Sequence, residues 1–99
     1  MVFVDDKIKH VLQVFAERSN VSVGDIMSDD TTRKVCTIRY MIFTYLHINL
    51  RISGSRLSKI FGRTRESILR GIRILKGWME CYKDIQETYT SIINEIEES

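Results

Sequence analysis

The stretch SGSRLSKIFGRTRESILRGIRILK, residues 53–76, decides the fold. Leu57, Ile60 and Phe61 supply the apolar side of a helix about two turns long, and Ser53 stands before it as an N-cap. Gly62 falls where a left-handed residue ends a helix, because glycine carries no Cβ to clash there. Thr64 then caps a second helix. Glu66 lies in its first turn, where the backbone dipole favours an acid. Ile68, Leu69, Ile72 and Leu75 form its buried stripe. A short helix, a tight glycine turn and a longer helix make the layout of a helix-turn-helix over residues 53–76.

The segments around this hairpin are also helical. Ile8, Val11, Leu12 and Phe15 obey the i, i+3, i+4, i+7 rule, so residues 5–18 are expected to form an amphipathic helix capped by Asp5 or Asp6. A very short helix should follow, with Ser22 as N-cap and Ile26 and Met27 facing inward. From Thr32, apolar residues recur at Val35, Ile38, Met41, Ile42, Tyr45 and Leu46, a third helix to about His47. Gly77 should weaken the second hairpin helix, which can still run through Trp78 and Met79. Asp84 with Glu87 is a capping pattern for a last helix whose inward set is Ile85, Tyr89, Ile92, Ile93 and Ile96. No stretch alternates with period two, and repeats and low-complexity linkers are absent. The expected class is all-α, in one domain over residues 1–99.

Charge is segregated. Residues 31–76 hold eleven Lys and Arg against one acid, Glu66, while both flanks are acidic. Residues 61–73 alone contain four arginines, Arg63, Arg65, Arg70 and Arg73. Such a block points to a polyanionic partner, or else to a solvated face neutralised by the acidic flanks. The two cysteines, Cys36 and Cys81, match no metal spacing and read as buried or half-buried thiols. The opening residues carry acids where a signal peptide needs cations, and no apolar run reaches membrane length. A reduced, cytoplasmic, nucleoid-associated protein is expected. Phosphate-binding glycine loops are missing, and His10 and His47 lie on different helices without acidic partners. No enzyme activity, cofactor or metal is expected.

Double-stranded DNA is the expected partner. An α-helix fits the major groove, where arginine can bind guanine through two bonds and glutamate can accept from the cytosine amino group. The candidate DNA contacts are Arg33, Lys34, Arg39, Ser53, Lys59, Arg63, Thr64, Arg65, Glu66, Ser67, Arg70 and Arg73, with Arg65 expected to read a base.

The order of these motifs resembles the C-terminal DNA-binding domain of the bacterial replication initiator family, DnaA. IKHVLQVFAERSNVSVGDIMS is similar to the domain's opening helix and its V-S-V-x-D-L turn. TRKVCTIRYMIFTYL resembles the basic loop and the long helix after it. SGSRLSKIFGRTRESIL resembles the helix-turn-helix, and KDIQETYTSIINEIE the closing helix. The resemblance implies a compact six-helix domain of the Trp-repressor-like class. With one residue deleted after Gly62, Arg63 matches the family's arginine, and Thr64, Arg65, Glu66 and Ser67 occupy the places of its base-reading Asp-His-Thr-Thr. That signature is absent. Arg39 matches an arginine of the family's Arg-Pro-Arg, which implies a phosphate contact. The basic loop keeps Arg33 and Lys34, and Thr31 falls where the family has its minor-groove arginine.

The initiator's ATPase module is also absent. An excised domain and a small free-standing regulator of replication or transcription are the two options, and Met1 followed at once by a helix favours the second. The alternative function is a protein-interaction module that keeps the fold without recognising the DNA box. Trp78, Tyr82, Ile85, Tyr89, Ile92 and Ile96 follow heptad-like steps. They are expected either to pack on their own domain or to form a weak homodimer seam.

Overall fold

The computed structural model describes residues 6–98. Six α-helices follow in order: α1 (Asp6–Ser19), α2 (Val23–Met27), α3 (Arg33–Thr44), α4 (Gly54–Phe61), α5 (Arg65–Cys81) and α6 (Lys83–Glu98). A π-helical turn, Tyr45–Asn49, prolongs α3. There is no strand among the described residues. The Cα radius of gyration is 12.4 Å, close to the roughly 13 Å of one close-packed domain of this length.

The centre of the molecule is α3. Val35, Ile38, Met41 and Ile42 are buried as the periodicity requires, and Phe43, Tyr45 and Leu46 bury the remaining sides. A helix apolar nearly all round must be enclosed, and α1, α2 and α5 surround this one. Phe43 meets Phe61 of α4 edge-on, with ring centroids 4.8 Å apart. At Gly71 of α5 the ring of Tyr40 lies so near that a Cβ would stand 2.6 Å from its Cδ1. Glycine is what lets α3 and α5 approach this closely.

At five residues, α2 is too short to be stable alone, and its ends are held by side chains. Ser22 and Asp25 form a reciprocal capping box, with Asp25 N–H donating to Ser22 Oγ at 2.9 Å. At the other end, carbonyls at and just past the C-terminus of α2 accept from Arg39. Its Nε donates to Ile26 O at 2.8 Å, and its Nη2 donates to Ser28 O at 3.0 Å and Asp25 O at 3.2 Å. Ser28 O also accepts from Arg63 Nη2 at 2.6 Å. The negative end of the α2 dipole is thus met by two guanidinium groups. Met27, expected to face inward, is 38 % exposed, because one buried position, Ile26, completes the inner side of so short a helix.

After α3 the ladder widens. Leu50 N–H donates to Tyr45 O, five residues back, at 3.3 Å. Arg51 then adopts a left-handed backbone, φ 57°, before Ser53 caps α4. Past Gly77, α5 continues to Cys81. Because α6 starts at Lys83, Asp84 lies inside its first turn rather than at its cap. Ile92 and Ile96 are buried against the domain, and Trp78, Ile85, Tyr89 and Ile93 are half-buried on it. The heptad-like residues therefore pack on their own domain. Tyr82 stays 44 % exposed where the chain leaves the helical conformation. Arg18 ties α1 to α6 through Glu95 at 2.7 Å and Ser91 at 2.8 Å. Cys36 is half-buried, and Cys81, contrary to expectation, is exposed because it ends α5 on the outer side. The Asp5 cap lies outside the described residues.

Candidate nucleic-acid interface

Local chemistry builds the hairpin as its sequence requires. Ser53 Oγ accepts from Arg56 N–H at 3.1 Å to start α4. Gly62 ends it in the left-handed conformation, φ 65°, and the N–H groups of Gly62 and Arg63 both donate to Ser58 O, a pattern of paired C-terminal bonds. Thr64 Oγ1 accepts from Ser67 N–H at 3.1 Å and opens α5. Leu57, Ile60 and Phe61 of α4, with Ile68, Ile72 and Leu75 of α5, fasten the pair to the core.

Opposite that buried stripe, Glu66, Arg70 and Arg73 follow i, i+4, i+7 along one exposed face of α5. Arg65 and Lys76 are exposed at its borders, and Lys59 is exposed on α4. None of these five cations is in an ion pair among the described residues. The acidic flanks leave this face charged: Glu95 pairs with Arg18 and Glu87 with Lys83. Arg65 leans back across the start of α4, where its Cγ lies 3.2 Å from the position of a Cβ on Gly54. Lys76, absent from the expected set, was signalled by its three-residue step from Arg73.

Four expected contacts lie elsewhere. Arg39 is 2 % exposed and its guanidinium is spent on the end of α2, so it does not present charge to a phosphate. Arg63 is half-buried and holds Ser28 O. Arg33 and Lys34 are exposed, but the Arg33 guanidinium lies 5.7 Å from the centroid of the Trp78 ring. Trp78 is thirteen residues beyond Arg65 on α5, about 20 Å along the axis. The basic block therefore divides between the hairpin face and the far end of α5. Ser53, Thr64 and Ser67 serve as cap partners at the helix starts.

No group of His, Cys, Asp and Glu among the described residues could hold a metal ion, and no helix there is long and apolar enough to cross a membrane. No protein-family model matches the chain, and no curated protein matches it.

Proposed function

We propose that the chain is a double-stranded DNA-binding module of the initiator C-terminal type, working through the α4–α5 hairpin. The observation that carries this reading is the outward face of α5. It sets Arg70 and Arg73 beside Glu66, exposed and unpaired, on a helix whose opposite side is locked into the core. No ion pair among the described residues neutralises Arg70 or Arg73, so a polyanion is their natural complement. α4 braces the reading helix. In this reading Arg70 and Glu66 meet base edges. Arg65, Arg73, Lys76 and Lys59 border them and suit phosphates.

The test is duplex affinity against salt, using duplexes first selected from a random pool. Four or five phosphate contacts give a slope of log K on log salt of about −4. Arg70→Ala should cost about 1–3 kcal/mol on the selected site and relax its sequence preference. Lys76→Ala should weaken all sequences alike. A chain that binds no duplex at low salt, or an Arg70→Ala/Arg73→Ala variant that binds like the parent, refutes the reading.

A further inference from the structure

At the far end of α5 a cleft of about 330 Å³ opens between the first turns of α3 and the joint of α5 with α6. That volume lies within the range of ligand pockets, roughly 300–1,000 Å³. Its apolar lining comes from Ile38, Met41 and Ile85, and its polar side from Arg33, Lys34 and Asp84. We propose that this cleft docks an acidic peptide segment of a partner protein, anchored by one large apolar side chain.

The charge argument is specific. Arg33 and Lys34 are exposed and in no ion pair among the described residues. The Arg33 guanidinium lies 5.7 Å from the ring centroids of both Trp78 and Tyr82. These rings orient the cation without neutralising it. Thr32, the N-cap of α3, makes no side-chain hydrogen bond to the helix start, and the Asp30 carboxylate, which accepts from Thr32 N–H at 2.8 Å, offsets part of the positive end of the α3 dipole, so the charge of the cleft rests on the two side chains. Among the residues that line the cleft one carboxylate, Asp84, opposes them. An occupant with net negative charge fits this rim, and the aliphatic floor takes its apolar part. A nucleic acid fits less well. Arg33 covers the aromatic faces on which a base would stack, and Asp84 interrupts the line a phosphate backbone would follow. The cleft stands apart from the hairpin face, so its occupation does not depend on DNA binding.

The experiment uses the whole chain and a labelled peptide with one central leucine among Asp and Glu residues. Trp78 is the single tryptophan of the chain and lies beneath Arg33, so its emission reports on the site. Peptide polarisation and Trp78 emission should both saturate with the same midpoint. Replacing the leucine by glycine at equal charge should weaken binding at least tenfold. Arg33→Glu and Lys34→Glu should each do the same. Both positions are exposed in the first turn of a helix, where an acid is favourable, so circular dichroism should show an unchanged fold. No saturable response, an equal response to the glycine peptide, or parental affinity in the Lys34→Glu variant overturns the proposal. Duplex affinity of the parent, measured separately, tests the hairpin reading and not this one.

Discussion

Gly71 and Gly77 both lie in α5, six residues apart, yet alanine should act in opposite directions at the two. Alanine is favoured over glycine inside a helix by about 1 kcal/mol. At Gly77 no atom lies within 4 Å of the new Cβ, so the full preference should appear as a gain of about 0.5–1 kcal/mol. At Gly71 the Cβ would stand 2.6 Å from Cδ1, 2.9 Å from Cε1 and 3.3 Å from Cγ of Tyr40, where carbon atoms prefer about 3.5–4.0 Å. The ring has little room to retreat, since it packs on Phe43 at 6.3 Å and Trp78 at 6.0 Å between centroids. Overpacking of this kind costs about 1–3 kcal/mol. Set against the propensity gain, Gly71→Ala should destabilise by up to about 2 kcal/mol. In a domain of this size each kcal/mol moves Tm by about 4–8 °C. Thermal melts followed by circular dichroism should therefore place Gly71→Ala below the parent and Gly77→Ala above it. A Tyr40→Ala background should remove most of the Gly71 penalty, because the colliding ring is gone. If Gly71→Ala melts at or above the parent temperature, the close α3–α5 approach is not a determinant of the fold.

Arg39→Met should lower stability by about 1–3 kcal/mol, because it takes the Nε donor from the carbonyl of buried Ile26 and one donor each from Asp25 O and Ser28 O; a urea midpoint equal to the parent's would dismiss this role. Gly62→Ala should cost about 1–2 kcal/mol through its left-handed backbone, and an unchanged urea midpoint would contradict it. Burial pushes the hydroxyls of Tyr45 and Tyr89 above the ordinary phenol value near 10, and for Tyr89 the nearby Tyr45 adds to the effect. Their folded values are raised, so their contribution to stability is complete below about pH 10 and is lost as pH rises. Phenolate absorbance should show Tyr45 and Tyr89 titrating late, together with loss of helix, and independent early titration of all four tyrosines would disprove it. At the acid end, the Thr32 amide, then its hydroxyl, holds the Asp30 carboxyl below its usual range, and the charge of Arg39 adds a smaller effect. That contribution should be present above about pH 4 and fade as pH falls further, and carboxyl titration by NMR reads it directly.

The hairpin was legible because its punctuation is local. Ser53, Gly62 and Thr64 act on backbone groups within a few residues, so sequence alone places them. Arg39 faces inward, and its position in the sequence carries that signal. Val35, Ile38, Arg39 and Ile42 obey the i, i+3, i+4, i+7 rule, so the apolar stripe itself puts residue 39 inside. A cation there needs a tertiary partner, and the carbonyls it meets belong to another helix thirteen residues away in sequence. The division of the basic block has the same origin. Net charge along the chain ignores that α3 starts beside the end of α5, which leaves Arg33 beside Trp78 rather than beside Arg65. The inner residues of α6 were readable from their spacing, whereas Met27 was not, since five residues give too little periodicity to fix a face.

The widened turn at Tyr45–Asn49 bears on how this chain could lengthen or shorten without losing its shape. A five-residue hydrogen-bonded step holds one residue more than the ordinary helical ladder. Removing one residue there would restore regular winding and rotate everything downstream by about 100°, unless the Arg51 link absorbed it. The angle at which the hairpin meets the central helix is thus set by a local surplus of backbone. A single-codon deletion should leave the hairpin's own caps intact but break the packing of α5 on α3 where Tyr40 meets Gly71.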